Sequence, residues 1–368
     1  MTCFMPAIGS TKDEIDSPAL CVDLDKFEAN VRTMADKCRQ RAIHWRPHAK
    51  AHKSSAIAKQ LIAAGAIGIT CAKLGEAEVM AAAGIRDLLI ANMIVGATKM
   101  RRLVALRRIA DPIVCVDHLE HVEELGAAMS SAGLTLRVLI EVDIGLSRVG
   151  VLPGKPACEL AERVAATPGL RLAGVMGYEG HLLLLKDAAE KSAKITAAIA
   201  ELVATKQLLE KHGLPCPIVS CGGTGSYMVT LGCDGITELQ AGGVIFMDAF
   251  YREMCHVQEF DYALTVLTTV VSRPAVDRAI IDAGRKTMNM ELTMPRVVGR
   301  AGIEVMSLSA EHGVLRLAPA AQNLRIGERL EFVPSYGDFT TVLHSRFLAF
   351  RGERLEAIWP LEARGRLD

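Results

Sequence analysis

The chain has 368 residues, half of them hydrophobic and only 4% aromatic, enough to bury a large core spread over two domains. Lysine plus arginine and aspartate plus glutamate each total 42, so the formal net charge is zero and neither a nucleic acid nor an anionic membrane is an expected partner. Ten scattered cysteines with no CxxC pair, an N-terminus without a charged-then-apolar leader and no apolar run near ~18 residues argue against a disulfide scaffold, a secreted chain and a membrane span, and for reduced thiols in the cytoplasm.

After a short polar lead, residues 17–22 read as a first strand, and Asp23 or Asp25 can cap the helix that runs on from Lys26. The next apolar stretch, around Ala42, Ile43 and Trp45, stops at His44-Trp45-Arg46-Pro47-His48-Ala49-Lys50-Ala51-His52-Lys53. Pro47 lacks a donor N–H and biases Arg46 away from helix, so the strand ends there and Lys50 falls just past it. A helix over 53–64 follows, stopped by Gly65. The beat then repeats, with strands at 67–71, 88–91, 112–116, 136–142, 172–176 and 217–219 and helices over 74–83, 98–108, 119–131, 157–166 and 187–212. Counted from residue 17, eight or so strand–helix units in ~240 residues give the rhythm of an α/β fold closed into a (β/α)8 TIM-like barrel.

From Tyr262 the rhythm changes. Short β-branched runs at 264–271, 279–282, 314–317, 329–333 and 340–347, with turn residues between them, read as a mainly antiparallel β-domain. The first twenty or so residues can join either part. The expected division is a barrel over residues 22–258 and a β-domain made of residues 1–21 plus 259–368.

Parallel α/β folds bind ligands beyond the C-terminal ends of their strands, so the residues at those ends are the candidates. A lysine that is partly desolvated, or close to other cations, can lose its proton and form a Schiff base with a carbonyl. Lys50 is placed for that chemistry, with Arg46, His48 and His52 as its candidate electropositive surroundings; a solvated basic face is the plainer reading. Ser220-Cys221-Gly222-Gly223-Thr224-Gly225-Ser226 suits either a phosphate held by backbone N–H groups or a tight connection, and it has neither the lysine of a P-loop nor the dinucleotide glycine spacing. Residues 141–150 set Glu141, Asp143 and Arg148 at another strand's end, where Arg148 pairs with a ligand oxygen or with Asp143. His181, in Tyr178-Glu179-Gly180-His181, is a structural residue or a base. Asp338, in Pro334-Ser335-Tyr336-Gly337-Asp338, is by itself a poor metal site, because a hard or borderline cation draws several ligands.

Taken together, these stretches resemble the fold-type III pyridoxal-phosphate enzymes, and within them the D-threonine aldolase and D-serine dehydratase family. Residues 46–50 with His52 and Lys53 are similar to that family's cofactor-lysine motif, and residues 74–78, 143–150, 178–181 and 221–226 fall in matching order over nearly the whole chain. The resemblance implies an alanine-racemase-like barrel with a family-type β-domain, acting on an amino-acid substrate as a homodimer whose active sites lie where one subunit's barrel meets the other's β-domain. It implies Lys50 as the residue that carries pyridoxal 5'-phosphate, Gly223, Thr224 and Gly225 around the phosphate, Arg148 near the phenolic oxygen and Tyr178 in the pocket wall. It makes Lys50 the catalytic amine, and without a metal His52, His181 or Asp338 would have to handle the substrate's hydroxyl. It also implies a divalent metal, Mg or Mn, held in the β-domain by a His-x-Asp or His-x-Cys pair; this chain has Tyr336-Gly337-Asp338 there, so Asp338 is the candidate ligand and a tyrosine stands where the histidine is expected. After Gln240-Ala241-Gly242, Gly243-Val244 stands in place of a serine–tyrosine pair. The implied reaction is cleavage of a D-configured β-hydroxy amino acid to glycine and an aldehyde. Dehydration of D-serine or 3-hydroxyaspartate, racemisation, and cofactor binding without turnover are the alternatives.

Overall fold

The computed structural model describes residues 5–368, and contacts divide them into two units. One holds residues 5–33, Ala51–Lys53 and Gly243–Arg364; the other holds Met34–Lys50, Ser54–Gly242 and Gly365–Asp368. The bounds drawn from the sequence are 22 and 258.

The chain runs through β1 (Ala19–Asp23), α1 (Leu24–Gln40), β2 (His44–Trp45), α2 (Ser55–Ala63), β3 (Ile69–Cys71), α3 (Leu74–Ala82), β4 (Asp87–Ile90), α4 (Ala97–Ile109), β5 (Asp111–Val116), α5 (Leu119–Ser131), β6 (Leu136–Glu141), α6 (Lys155–Ala166), β7 (Leu170–Met176), α7 (Ala188–Lys211), β8 (Ile218–Cys221), α8 (Tyr227–Thr230) and β9 (Glu238–Leu239). Strands β2 to β9 pair in parallel, in the order β2-β9-β8-β7-β6-β5-β4-β3. The two ends of that order meet: the N–H of Ile67 donates to Trp45 O and that of Thr70 to Pro47 O, both at 3.0 Å, and His48 bridges Thr70. The sheet therefore closes into the expected (β/α)8 barrel. Its strands are nearly all apolar, as strands covered on both faces must be, and Leu89, Ile113, Cys115, Leu139, Ala173 and Met176 pack into one cluster.

A polar knot ties the N-terminal ends of these strands. Arg46, 1% exposed, donates through Nε and Nη2 to the two oxygens of Glu238 at 3.0 and 2.8 Å, and through Nη1 to Asp87 Oδ1 at 2.9 Å. Arg137 adds a second bond to Asp87 Oδ1 at 2.8 Å. Glu238 opens β9 and Asp87 opens β4, so Arg46 faces away from the end that carries Lys50. It does not belong to the lysine's surroundings as the sequence suggested, because two carboxylates already neutralise it.

The other unit adds β10 (Leu264–Ala275), β11 (Arg278–Ile281), β12 (Arg296–Val297), β13 (Ile303–Leu308), β14 (Gly313–Leu317), β15 (Arg329–Val333), α9 (Gly337–Thr341), β16 (Arg346–Arg351) and β17 (Arg354–Pro360). They form a sheet in the order β13-β14-β11-β10-β1-β16-β17, with β15 pairing β10 and β12. Only β1 with β16 is parallel, so the expected mainly antiparallel domain is present. Ile15, Cys21, Leu267, Leu348 and Phe350 pack together in its core.

Strand β1, which could join either part, joins the antiparallel sheet, where β10 and β16 flank it. Two sequence expectations change here. The eighth barrel strand is β9, two residues long and too short to leave a period in the sequence. Residues 340–347 were expected as a strand, yet Thr340 and Thr341 close the short helix α9 and the strand begins at Arg346; burial of both threonines overrides their β propensity.

Nine cysteines lie among the described residues and none is in a disulfide. Eight are buried, and burial pushes the thiols of Cys21, Cys38 and Cys216 up to about 12. Among the described residues no helix is long and apolar enough to cross a membrane. Arg46→Ala is expected to destabilise the protein by roughly 3–5 kcal/mol, read as a lowered urea midpoint, because it leaves the buried Glu238 without its cation. Adding Glu238→Gln to that variant is expected to recover part of the loss.

Candidate active site

Beyond β2 the chain passes through a single 3-10 turn, Ala49–Ala51, that carries Lys50. The backbone N–H of Lys50 donates to His48 Nδ1 at 3.3 Å, so a neutral His48 ring keeps its proton on Nε2. The approach to the turn is pinned as well, by Trp45 Nε1 donating to Ala241 O at 2.8 Å and Thr70 Oγ1 donating to Arg46 O at 3.1 Å. Gly242 comes so near that a Cβ there would lie 2.3 Å from His48 O. Lys50 is half-buried past the C-terminal end of its strand, whereas His52, two residues on, is fully buried.

At the same end of the barrel, β8 runs into the glycine turn, with Gly222 at φ +78°. The N–H of Gly223 donates to Ser226 Oγ at 3.1 Å and is therefore already engaged. The N–H groups of Thr224 and Gly225 donate to nothing among the described residues, and Thr224 Oγ1 is buried without a partner. Both residues are buried. Three unspent donors in one buried turn are costly if left dry, and an anion with several oxygens satisfies them. Gly223 contributes room instead of a donor: a Cβ there would lie 3.1 Å from Cε2 of Tyr178, whose ring also presses on Gly180.

Glu179 lies beneath this turn, fully buried, with Oε1 accepting from Ser226 Oγ at 2.5 Å and Thr230 Oγ1 at 3.1 Å. Burial pushes its carboxyl up, and these hydrogen bonds oppose the shift. Sequence reasoning misses it: an acid between a tyrosine and a glycine reads as loop, and its partners lie 47 and 51 residues away.

The loop after β6 folds on Asp143, whose Oδ1 accepts from the N–H groups of Gly145 and Ser147, both at 3.0 Å. Asp143 is thus not the partner of Arg148, which is exposed and makes no ion pair among the described residues. Glu141, buried at the end of β6, is pushed up to about 8 by burial, with a hydrogen bond from the Cys115 thiol and the charge of Arg148 acting the other way. His181 is exposed and lies over Gly145, at φ +111°, where a Cβ would sit 2.9 Å from its Nε2. The loops after β6, β7 and β8 therefore meet, Gly145 with His181 and Tyr178 with Gly223.

A family model described as the alanine racemase N-terminal domain matches residues 22–249, and one described as a putative serine dehydratase domain matches residues 263–350. The chain belongs to the alanine racemase N-terminal domain family. Within the family it resembles a D-threonine aldolase of Arthrobacter sp, 38% identical over 359 residues, covering 97% of this chain and 95% of that one. A 3-hydroxy-D-aspartate aldolase of Paracoccus denitrificans (strain Pd 1222) is 34% identical over 98% of this chain and 96% of its own. The crystal structure of a D-threonine aldolase from Filomicrobium marinum superposes with a TM-score of 0.94 at 39% identity, covering 99% of this chain and all of that one.

The metal expected from the resemblance meets a poor donor set. Tyr336 Oη donates to Asp338 Oδ2 at 2.9 Å, and Phe250, Tyr251 and Phe339 box its ring at centroid distances of 5.2, 5.7 and 5.0 Å. Burial pushes this phenol far up, so it stays a proton donor. The neighbouring Asp248 accepts from the N–H groups of Tyr251 and Gly337, both at 2.8 Å, and burial pushes it up to about 8. Among the described residues, no set of three histidine, cysteine, aspartate or glutamate ligand atoms includes Asp338. These residues do not fit Mg or Mn, and Asp338 is an acceptor for a phenol.

Glu141 makes stability depend on pH with a definite sign. Its folded value of about 8 lies above the ordinary 4.5, so between these values the folded chain keeps a proton that the unfolded chain has lost. The contribution is complete below pH 4.5 and disappears as pH rises toward about 8. Glu141→Gln is expected to remove that dependence: its stability relative to the native protein rises steadily across this range in urea titrations at successive pH values.

Proposed function

We propose that this chain is a pyridoxal-phosphate-dependent lyase that cleaves a D-configured β-hydroxy amino acid to glycine and an aldehyde. The observation that carries the reading is the pair of features at one end of the barrel: a half-buried lysine past β2 and a buried turn with three unspent donors past β8. The 38% identity to a D-threonine aldolase over nearly the full length supports the reaction class. In this reading residues 22–258 form the cofactor-binding barrel, residues 1–21 plus 259–368 form the second domain, and the protein works as a cytoplasmic homodimer. The balanced net charge and the absence of disulfides among the described cysteines support the compartment.

The residues present fit the cofactor. Lys50 would hold its aldehyde carbon, Thr224 and Gly225 its phosphate, and Tyr178 would wall the pocket, while the exposed guanidinium of Arg148 is available to its phenolic oxygen. When bound, such a group supplies an electron sink for a bond broken at the substrate's α carbon. The remaining work belongs to side chains. The Lys50 amine would be placed to hold or return a proton at that carbon. The β-hydroxyl must lose a proton as the bond between the α and β carbons breaks. His181, exposed over Gly145, is open to an incoming substrate and is the better base; His52, sealed from solvent, is not. No step is assigned to a metal, because the site at Asp338 does not fit one.

Native protein given D-threonine or 3-hydroxy-D-aspartate is expected to yield glycine and the matching aldehyde, while Lys50→Ala loses both turnover and the visible absorption of the lysine-bound cofactor. A keto acid in place of glycine would replace cleavage by dehydration, and the enantiomer would replace it by racemisation. Treatment with EDTA is expected to leave the rate unchanged; a rate lost to the chelator and restored by Mn would overturn the metal-free reading.

A further inference from the structure

Glu179 takes no part in the chemistry above, yet it is the acid most tightly woven into the glycine turn. A fully buried carboxyl group is costly unless hydrogen bonds satisfy it, and here the donors come from the turn and the helix it opens. Ser226 has one hydroxyl hydrogen and two places to send it. It can donate to Glu179 Oε1, at 2.5 Å, or back to Gly223 O, at 3.4 Å. Donation to Glu179 leaves the oxygen's lone pairs facing the N–H of Gly223, which lies 3.1 Å away. Thr230 Oγ1 closes the same arrangement from α8, bonding both Glu179 Oε1 and Ser226 O at 3.1 Å. The acid therefore sits behind the turn and takes up the hydroxyls of Ser226 and Thr230, whereas the N–H groups of Thr224 and Gly225 and the hydroxyl of Thr224 remain unspent.

We propose that Glu179 is a positioning residue for phosphate binding: by fixing the Ser226 hydroxyl it sets the backbone of residues 223–226 in the shape that gives Thr224 and Gly225 their donors. The inference rests on reading this turn as the phosphate cradle. Loss of the acid sends the Ser226 hydrogen back to Gly223 O and releases the N–H of Gly223, and the turn relaxes. Recognition of the phosphate suffers, while recognition of the rest of the cofactor does not.

The test compares two probes on full-length protein freed of cofactor: pyridoxal 5'-phosphate and pyridoxal, which has the same ring and aldehyde but no phosphate. Native protein is expected to bind the phosphorylated probe far more tightly. Glu179→Ala is expected to weaken the phosphorylated probe by roughly tenfold or more and to leave pyridoxal unchanged, with Glu179→Gln, which keeps the Oε1 acceptor, close to native. Ser226→Ala removes the hydroxyl that relays the effect and is expected to give the same selective loss, which keeps the test decisive if Glu179→Ala fails to fold. An equal loss for both probes, or no loss for either, overturns the positioning role. If native protein itself shows no preference for the phosphorylated probe, the cradle reading falls first, and the two failures are thereby told apart.

Discussion

A ring of eight parallel strands has no edge, but it must be closed at a strand that has room for little else, and here that strand is two residues long. β2 makes only two register pairs with β9, His44 with Glu238 and Trp45 with Leu239, and reaches β3 through hydrogen bonds at Trp45 and Pro47. Side chains make up for the short ladder. The guanidinium of Arg46 clamps Glu238 and Asp87 at one end, and the indole of Trp45 bonds the Ala241 carbonyl toward the other. The same few residues then release the chain into the turn that holds Lys50. Closure of the fold and placement of Lys50 are one structural event, so a fault in the first displaces the second.

Much of this was legible in the residues. Pro47 marked the end of a strand and so the level of Lys50, and the alternation of apolar runs with amphipathic stretches gave the barrel. What escaped were features fixed by distant partners. Arg46 looked like part of a basic patch because its carboxylates lie 192 and 41 residues away. The two-residue β9 leaves no period, and Thr340 and Thr341 carry strand propensity into a helix because both are buried there. The glycine turn reads in the sequence as either a place for an anion or a tight connection, and which of its N–H groups are unspent follows from the Ser226 hydroxyl; no spacing rule encodes the direction of one hydroxyl. The five-segment resemblance to pyridoxal-phosphate enzymes carried the functional reading further than any single motif did.

Buried acids recur through both units. Glu141, Glu179 and Asp248 are each pushed up chiefly by burial, and each is partly compensated by donors: a thiol for Glu141, two hydroxyls for Glu179, backbone N–H groups for Asp248. Two of the three lie in the barrel unit, at or just past the C-terminal ends of β6 and β7. In each case the donors offset part of the cost of burying a carboxyl group.

The thiols set a last property. A thiol reacts as its thiolate, and oxidants and alkylating reagents alike depend on that form and on access to it. Eight of the nine described cysteines are buried, and desolvation holds Cys21, Cys38 and Cys216 at about 12 and pushes Cys115 and Cys221 well above the ordinary thiol value. The buried thiols among the described residues are in this respect chemically quiet: their reaction in air is governed by how often the fold opens and hardly at all by their number.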